Sequence, residues 1–171
     1  MKNVTEVKDM NLINFYNPNE IKICSDFNKI YKFINVDQNY ESTVFKEVHD
    51  VQLNGFIPII LYPEKLIPII NDINNINDFL DSNCLFILDA KSLKGDYGRA
   101  VKNLAKTLLE NKIYNFINKN RVSKNDIDKI ISKYEGCSEF MGQNLKKLNN
   151  GEIIDFNRRR IKFRKKILGI F

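Results

Sequence analysis

The sequence predicts an α/β fold in which helices flank a small mixed sheet. Two short apolar runs, residues 56–61 and 85–88, have the length of buried strands. Segments whose apolar residues recur every three or four positions, as in a helix, precede and follow these runs. The chain has 171 residues, 43% of them hydrophobic and 28% charged, which is typical of a globular protein with a buried core. We therefore expect residues 1–171 to form a single domain.

The first third of the chain is predicted to be polar and then helical. Residues 1–20 form a polar amino-terminal segment, and residues 21–36 have apolar positions at helical spacing. A further helix is expected over residues 42–53, because Val44 and Val48 fall on one side of it. The Asn-Gly pair that follows at 54–55 is a frequent end of a helix.

The remaining elements alternate between strand and helix. After the strand at 56–61, prolines at both ends of residues 63–68 indicate a turn or short helix. A connection rich in asparagine and aspartate leads to the strand at 85–88. Residues 96–120 predict the longest helix of the chain, and residues 123–136 predict another that Ser123 caps.

Composition limits the environment and the class of the protein. Three cysteines share no spacing typical of a disulfide framework or a zinc site, so a reducing compartment is expected. The longest apolar runs are too short to cross a membrane, and the first residues lack the apolar region of a signal peptide. We therefore expect a cytoplasmic protein without a transmembrane segment.

The net charge of +6 is concentrated in the basic carboxy-terminal segment, residues 151–171. Seven of nine residues in the run "RRRIKFRKK" are basic: Arg158, Arg159, Arg160, Lys162, Arg164, Lys165 and Lys166. Such a cluster favours a polyanionic partner, nucleic acid first and an anionic membrane surface second. Apolar residues between the charges also allow an amphipathic segment on a membrane or cytoskeletal partner, and a solubilising tail is a further interpretation.

Acidic and basic residues at the end of the second strand suggest a metal-dependent active site. Residues two apart on a strand point to the same side, which would group Asp89 with Lys91. Asp78 and Asp81 precede the strand, and either of them could bring a second carboxylate to Asp89. Two carboxylates can bind Mg²⁺ or Mn²⁺, which would activate water, and a lysine could orient that water or stabilise a phosphoryl group.

At "NDFLDSNCLFILDAK" the chain resembles the PD-(D/E)xK nuclease superfamily, which includes restriction enzymes and Holliday-junction resolvases. The resemblance implies a restriction-endonuclease-like core over residues 41–136. It also implies that Asp78 is the first metal ligand, Asp89 the second and Lys91 the motif lysine. Asn77 stands where the motif has proline, and Asp81 competes with Asp78 for the first position.

The same family commonly has another acid in the helix before the first strand. Here Glu47 is the preferred match and Glu41 the reserve. His49, in the same helix, resembles a metal-binding histidine of the RNA-cleaving members, although a surface histidine is the alternative interpretation. Since junction-resolving members work as dimers, the resemblance allows a homodimer.

Three basic residues, Lys94, Arg99 and Lys102, surround the start of the helix after the motif. Helix amino termini and nearby cations bind phosphate, so these side chains are expected to contact the nucleic-acid backbone. The resemblance and the basic residues together predict a metal-dependent nuclease, with DNA favoured over RNA as its substrate and RNA left open. The alternative is a non-catalytic nucleic-acid-binding or assembly protein that uses the basic carboxy-terminal segment.

Overall fold

The computed structural model of the protein describes residues 4–6, 30–119, 122–156 and 159–162. Its strands form one mixed sheet in the order β1-β2-β3-β4-β5. The strands are β1 (Val4–Glu6), β2 (Tyr31–Val36), β3 (Ile57–Leu61), β4 (Leu85–Asp89) and β5 (Phe116–Asn118). β1 is antiparallel to β2, and each later strand is parallel to the one before it. The carboxyl ends of β2 to β5 consequently lie along one edge of the sheet, here called the carboxyl edge.

Helices connect the parallel strands and follow the last one, which confirms the predicted α/β class. They are α1 (Val44–Leu53), α2 (Ile67–Asn71), α3 (Ile76–Asp81), α4 (Ala90–Lys94), α5 (Arg99–Glu110), α6 (Lys124–Ile131) and α7 (Cys137–Asn149). Short 3-10 turns at Pro63–Lys65 and Ile73–Asn75 precede and follow α2. The predicted helix at 42–53 and the predicted strands at 56–61 and 85–88 agree with α1, β3 and β4 within two residues.

Successive side chains of each strand point to opposite faces of the sheet. Both faces are buried, because each one packs against other parts of the chain. One face packs against α1 to α6 through Ile34, Val36, Ile60, Phe86, Leu88 and Ile117. The opposite face packs against Leu148 of α7 and Ile154 through Tyr31, Phe33, Ile59, Leu61, Leu85, Ile87 and Phe116. Strands buried on both faces appear in sequence as nearly continuous apolar runs, and this is how β3 and β4 were found.

Two predicted helices are wrong in part. The described portion of residues 21–36 is mainly strand β2, whose alternate side chains enter the two halves of the core. Residues 96–120 contain α5, which ends at Glu110, and then β5. Lys112 has a φ of 54°, so the chain leaves the helix there and returns to the sheet. A strand of three residues is too short to show a period of two.

The chain beyond α7 returns to the body of the fold. Tyr31 donates a hydrogen bond from its hydroxyl to the Glu152 carbonyl, and the same hydroxyl accepts one from the Ile154 amide. Farther on, the buried side chain of Asn77 accepts from the Ile161 amide at 2.7 Å and donates to its carbonyl at 2.9 Å. Asn77, which stands at the proline position of the supposed nuclease motif, therefore holds the middle of the basic carboxy-terminal segment at Ile161.

Within the ranges that the structure describes, no helix combines the length and the hydropathy needed to cross a membrane. The cytoplasmic location stays a prediction.

Candidate functional site

Polar side chains gather at the carboxyl edge, where β3, β4 and β5 end beside one another. β4 ends at Asp89 and β5 at Asn118, while β3 leads directly into the 3-10 turn that contains Glu64 and Lys65. Asn118 donates a hydrogen bond to the Tyr62 hydroxyl across 2.6 Å. In parallel sheets the carboxyl ends of the strands are the usual place for ligands, so this cluster is the candidate site.

Glu64 forms the buried inner half of the cluster. Its side chain is fully buried, and Oε1 accepts hydrogen bonds from the Asp89 amide at 2.9 Å and the Ser92 hydroxyl at 2.8 Å. Oε2 accepts one from the buried Tyr114 hydroxyl at 3.0 Å. Burial raises the pKa of Glu64 to about 7, although these hydrogen bonds counteract part of the shift. Glu64 thereby ties the end of β4 to α4 and to the segment before β5.

Lys65 belongs to the outer half, which reaches the surface at Tyr97 and is otherwise only slightly exposed. Its ammonium lies 2.6 Å from Asp89 Oδ2, and the lysine and aspartate side chains are 18% and 9% exposed. The Tyr97 hydroxyl donates to the same oxygen at 2.8 Å. The ammonium also lies 3.7 Å from the ring centre of Tyr97 and 4.4 Å from that of Tyr62. A lysine ammonium thus stands between two aromatic rings and a carboxylate, which combines an ion pair with cation–π contacts.

The geometry after β4 differs from the one assumed for a strand-borne Asp-x-Lys motif. The strand stops at Asp89, which caps α4 by accepting a hydrogen bond from the Lys91 amide at Oδ1, 3.0 Å away. Lys91 lies in the first turn of that helix and is half-buried. The expectation that strand pleating places Asp89 and Lys91 on one side is wrong, because a helix begins between them.

The other predicted acids lie elsewhere in the fold. Asp78 and Asp81 are exposed residues of α3, which ends on the side where β4 begins. Asp89 is at the other end of β4. From Leu85 to Asp89 the strand is about 13 Å long, at about 3.3 Å per residue. The structure hence does not place Asp78 or Asp81 beside Asp89. Glu47 is half-buried in α1, and Glu41 is exposed before that helix.

The predicted phosphate-binding residues fall into three groups. Lys94, Arg99 and Lys102 surround the turn between α4 and α5, where the Lys102 ammonium donates to the Lys94 carbonyl at 3.1 Å. Arg160 pairs instead with Asp81, with 2.9 Å between Nη2 and Oδ2. Arg159 and Lys162 are exposed. The last group lies outside the described residues and comprises Arg158, Arg164, Lys165 and Lys166.

The donor groups present do not fit a divalent metal ion. A metal site needs several ligand atoms with available lone pairs around one point. In the described ranges, no three side chains of histidine, cysteine, aspartate or glutamate come together in this way. The one histidine of the sequence, His49, is exposed on α1. The carboxylate of Asp89 already binds an ammonium group, and Glu64 is fully enclosed by its own donors.

Sequence reasoning missed six residues of the cluster: Tyr62, Glu64, Lys65, Ser92, Tyr114 and Asn118. The segment "YPEK" was interpreted only as a turn, although it follows an apolar strand in the same way as Asp89 does. Applying the same rule to every strand end would have selected Tyr62, Glu64 and Lys65. Tyr114 offers no comparable signal, since its role depends on contact with a residue 50 positions away.

Comparisons with known proteins overturn the nuclease interpretation. A family model described as "Capsular polysaccharide synthesis, CpsB/CapC" matches residues 16–160. A Staphylococcus aureus protein named "Putative tyrosine-protein phosphatase CapC" is 26% identical over 134 residues, and the match covers 68% of this chain and 51% of that protein. The chain therefore spans about half the length of this curated relative.

A solved structure shows the same fold. The structure belongs to a study of two proteins, YwqE from Bacillus subtilis and CpsB from Streptococcus pneumoniae. Both proteins are described there as unique metal-dependent tyrosine phosphatases. The TM-score is 0.64 at 18% identity, with 81% of this chain and 64% of that chain covered. A restriction-endonuclease-like core over residues 41–136, a DNA endonuclease function and a nucleic-acid partner are consequently wrong.

The comparisons support a metal cofactor, but they do not support a particular metal. The structural neighbour is metal-dependent, but the comparison does not identify the metal, so Mg²⁺ or Mn²⁺ stays a prediction. The neighbour's dependence on metal therefore disagrees with the donor groups found among the described residues of this chain.

Proposed function

Since the chain belongs to the CpsB/CapC family of capsular polysaccharide synthesis, we propose that its ligand is a phosphorylated tyrosine side chain of a protein. The observation that carries this proposal is the family match over residues 16–160, which contains the whole cluster at the carboxyl edge. The curated relative and the structural neighbour are tyrosine phosphatases by name. The bearer of the phosphate would be a protein that serves the synthesis of a capsular polysaccharide.

The chemistry of the outer half suits such a ligand. Phosphotyrosine combines an anion of nearly two charges with an aromatic ring. Lys65 provides a cation at the surface of the cluster, and Lys91 and Lys94 follow on α4. Tyr97 is 42% exposed, so part of its ring is available for contact with the ring of a bound phosphotyrosine. These groups would recognise both parts of the ligand.

The test measures binding and hydrolysis of one peptide in three forms: with phosphotyrosine, with phosphoserine at the same position, and without phosphate. Calorimetry reports binding, and release of inorganic phosphate reports hydrolysis, each with Mn²⁺, with Mg²⁺ and with chelator. We expect the phosphotyrosine peptide to bind about tenfold or more tightly than the unphosphorylated peptide, because one charge-assisted hydrogen bond contributes about 1.5–3 kcal/mol. We expect it to bind about threefold to tenfold more tightly than the phosphoserine peptide, because only phosphotyrosine offers an aromatic ring.

A Tyr97→Ala variant tests the contribution of the aromatic ring. It should weaken binding of the phosphotyrosine peptide by about threefold to tenfold, the range of one aromatic contact. Binding of the phosphoserine peptide, which offers no ring, reports the loss of Tyr97 contacts to Lys65 and Asp89 and should weaken less than binding of the phosphotyrosine peptide. Equal affinity of the wild-type chain for all three peptides, with no phosphate released, would contradict the proposed function.

A further inference from the structure

The cation of the candidate site is a fixed lysine. Lys65 binds Asp89 directly, and its ammonium also contacts the rings of Tyr62 and Tyr97. These contacts restrain a side chain that is otherwise flexible, and they hold its charge at the carboxyl edge. A positive charge that is already in place can stabilise a phosphate without further rearrangement.

Both carboxylates of the cluster are already engaged. Asp89 accepts from the Lys91 amide at Oδ1 and from Lys65 and Tyr97 at Oδ2. Both oxygens of Glu64 accept from groups inside the fold. A divalent ion bound to Asp89 would lie close to the ammonium of Lys65, and the two positive charges would repel each other. A metal could bind there only after Lys65 had left.

Among the described residues, no cysteine or histidine provides a nucleophile or a base at this edge, and Ser92, whose hydroxyl donates to Glu64, is fully buried. Cys84 and Cys137 are buried, and burial raises the pKa of both thiols, so they remain protonated. Cys84 precedes β4 and Cys137 begins α7, so neither belongs to the cluster. His49 is exposed on α1 and has no place in the cluster as a general base.

We infer that this chain recognises the phosphate of a phosphotyrosine without a metal ion and does not hydrolyse it, with the Lys65 ammonium as the fixed cation. The inference rests on the proposed function and specifies how the same site works. In this arrangement one hydrogen of the ammonium stays on Asp89, and the others are directed to the phosphate oxygens. The chain would then bind a tyrosine-phosphorylated protein and leave it phosphorylated.

The first experiment uses the wild-type chain alone. The protein is dialysed against Mn²⁺, Mg²⁺ or Zn²⁺, then against metal-free buffer, and its metal content is measured by mass spectrometry. In parallel, calorimetry measures binding of the phosphotyrosine peptide with chelator and with Mn²⁺. We expect less than stoichiometric metal, the same affinity in both buffers and no release of phosphate.

The second experiment compares three variants in chelator. Lys65→Met removes the charge but keeps a long apolar side chain, and it should weaken binding about tenfold or more. Lys65→Arg keeps the charge but changes the shape of the cation, so it should weaken binding less than Lys65→Met does. Lys133→Met, an exposed lysine after α6, is the matched control and should bind as the wild type does. Circular dichroism checks that each variant is folded.

The outcomes separate the inference from the proposed function. Phosphotyrosine binding that requires Mn²⁺ and disappears in chelator would overturn the inference and leave the proposed function intact. So would release of phosphate by the metal-loaded chain, or equal binding by Lys65→Met and Lys133→Met. If the wild-type chain does not bind the phosphotyrosine peptide in any buffer, the proposed function itself is wrong.

Discussion

Two neighbouring residues of one 3-10 turn, Glu64 and Lys65, face opposite halves of the same cluster. Glu64 is fully buried and accepts three hydrogen bonds from groups inside the fold. Lys65 reaches the surface and bonds Asp89 beside two aromatic rings. The inner half therefore joins strand ends that are far apart in sequence, and the outer half presents charge to a ligand. This difference indicates that titratable residues at a strand end need not share one role.

The contrast predicts different consequences for equivalent changes in the two halves. Loss of an inner residue should lower the free energy of unfolding, because buried donors would lose their acceptor. Loss of an outer residue should reduce ligand binding and affect stability less, because water can replace the missing group.

Glu64→Ala should have the largest effect on stability. It leaves the Asp89 amide, the Ser92 hydroxyl and the Tyr114 hydroxyl without their acceptor inside the core. We expect the free energy of unfolding to fall by about 3–5 kcal/mol, the sum of unsatisfied donors and a small cavity. Urea denaturation measures this change. The control is Glu135→Ala, an exposed position at which the change should stay within about 0.5 kcal/mol. A similar change in both variants would contradict the assignment.

Titration of Glu64 should make the free energy of unfolding depend on pH. Burial raises the pKa of Glu64 from 4.5 to about 7. Between these values the unfolded chain has released the proton and the folded chain keeps it, so stability falls as the pH rises. The fall is about 3 kcal/mol at about 1.4 kcal/mol per pH unit. Below pH 4.5 and above pH 7 the contribution is constant.

The comparison for this pH effect is Glu64→Gln, which cannot titrate but keeps the shape of the side chain. The difference in unfolding free energy between wild type and variant should decrease from pH 4.5 to pH 7 and then level off. A difference that is flat over this interval would mean that Glu64 has an ordinary pKa in the folded protein.

Removal of a tyrosine hydroxyl should destabilise the fold more in the inner half than in the outer half, and both losses should be smaller than that of Glu64→Ala. Tyr114→Phe deletes a buried donor to Glu64 and should destabilise the fold by about 1–3 kcal/mol. Tyr97→Phe deletes the donor to Asp89, but this ring is 42% exposed, so we expect about 1 kcal/mol or less. Thermal and urea unfolding of the two variants provide a matched measurement. A larger loss for Tyr97→Phe would reverse the roles of inner and outer half.

The sequence predicted about half of the helices and strands and one member of the candidate site. Strands β3 and β4 and helix α1 have the apolar patterns of buried elements, and their bounds were close to those observed. β2 was mistaken for helix, because both of its faces are buried and its apolar residues also fit a helical spacing. Strand β5 was missed because three residues are too few for a pattern.

Asp89 was selected as a site residue, and the structure places it in the cluster, but its partners were not found. The bond from Lys65 to Asp89 spans 24 residues, and the bond from Tyr114 to Glu64 spans 50. Such contacts follow from the order of strands in the sheet, and no local spacing contains that order. The supposed Asp-x-Lys motif depended only on local spacing and assumed that the strand continues to Lys91. The strand instead ends at Asp89, and a helix begins at Ala90.

The smallest effect is expected for a pair outside the cluster, Asp81 and Arg160, which the sequence suggested as metal ligand and phosphate-binding residue. Their side chains form an ion pair of 2.9 Å and are about half exposed, so the coupling energy should be below about 0.5 kcal/mol. A double-mutant cycle with Asp81→Asn and Arg160→Gln measures it by urea unfolding. Asn77→Ala is the comparison, since it removes two hydrogen bonds to buried backbone groups of Ile161 and should cost about 1–3 kcal/mol. A coupling energy above about 1 kcal/mol would show instead that the ion pair holds this segment, since exposed pairs rarely reach that value.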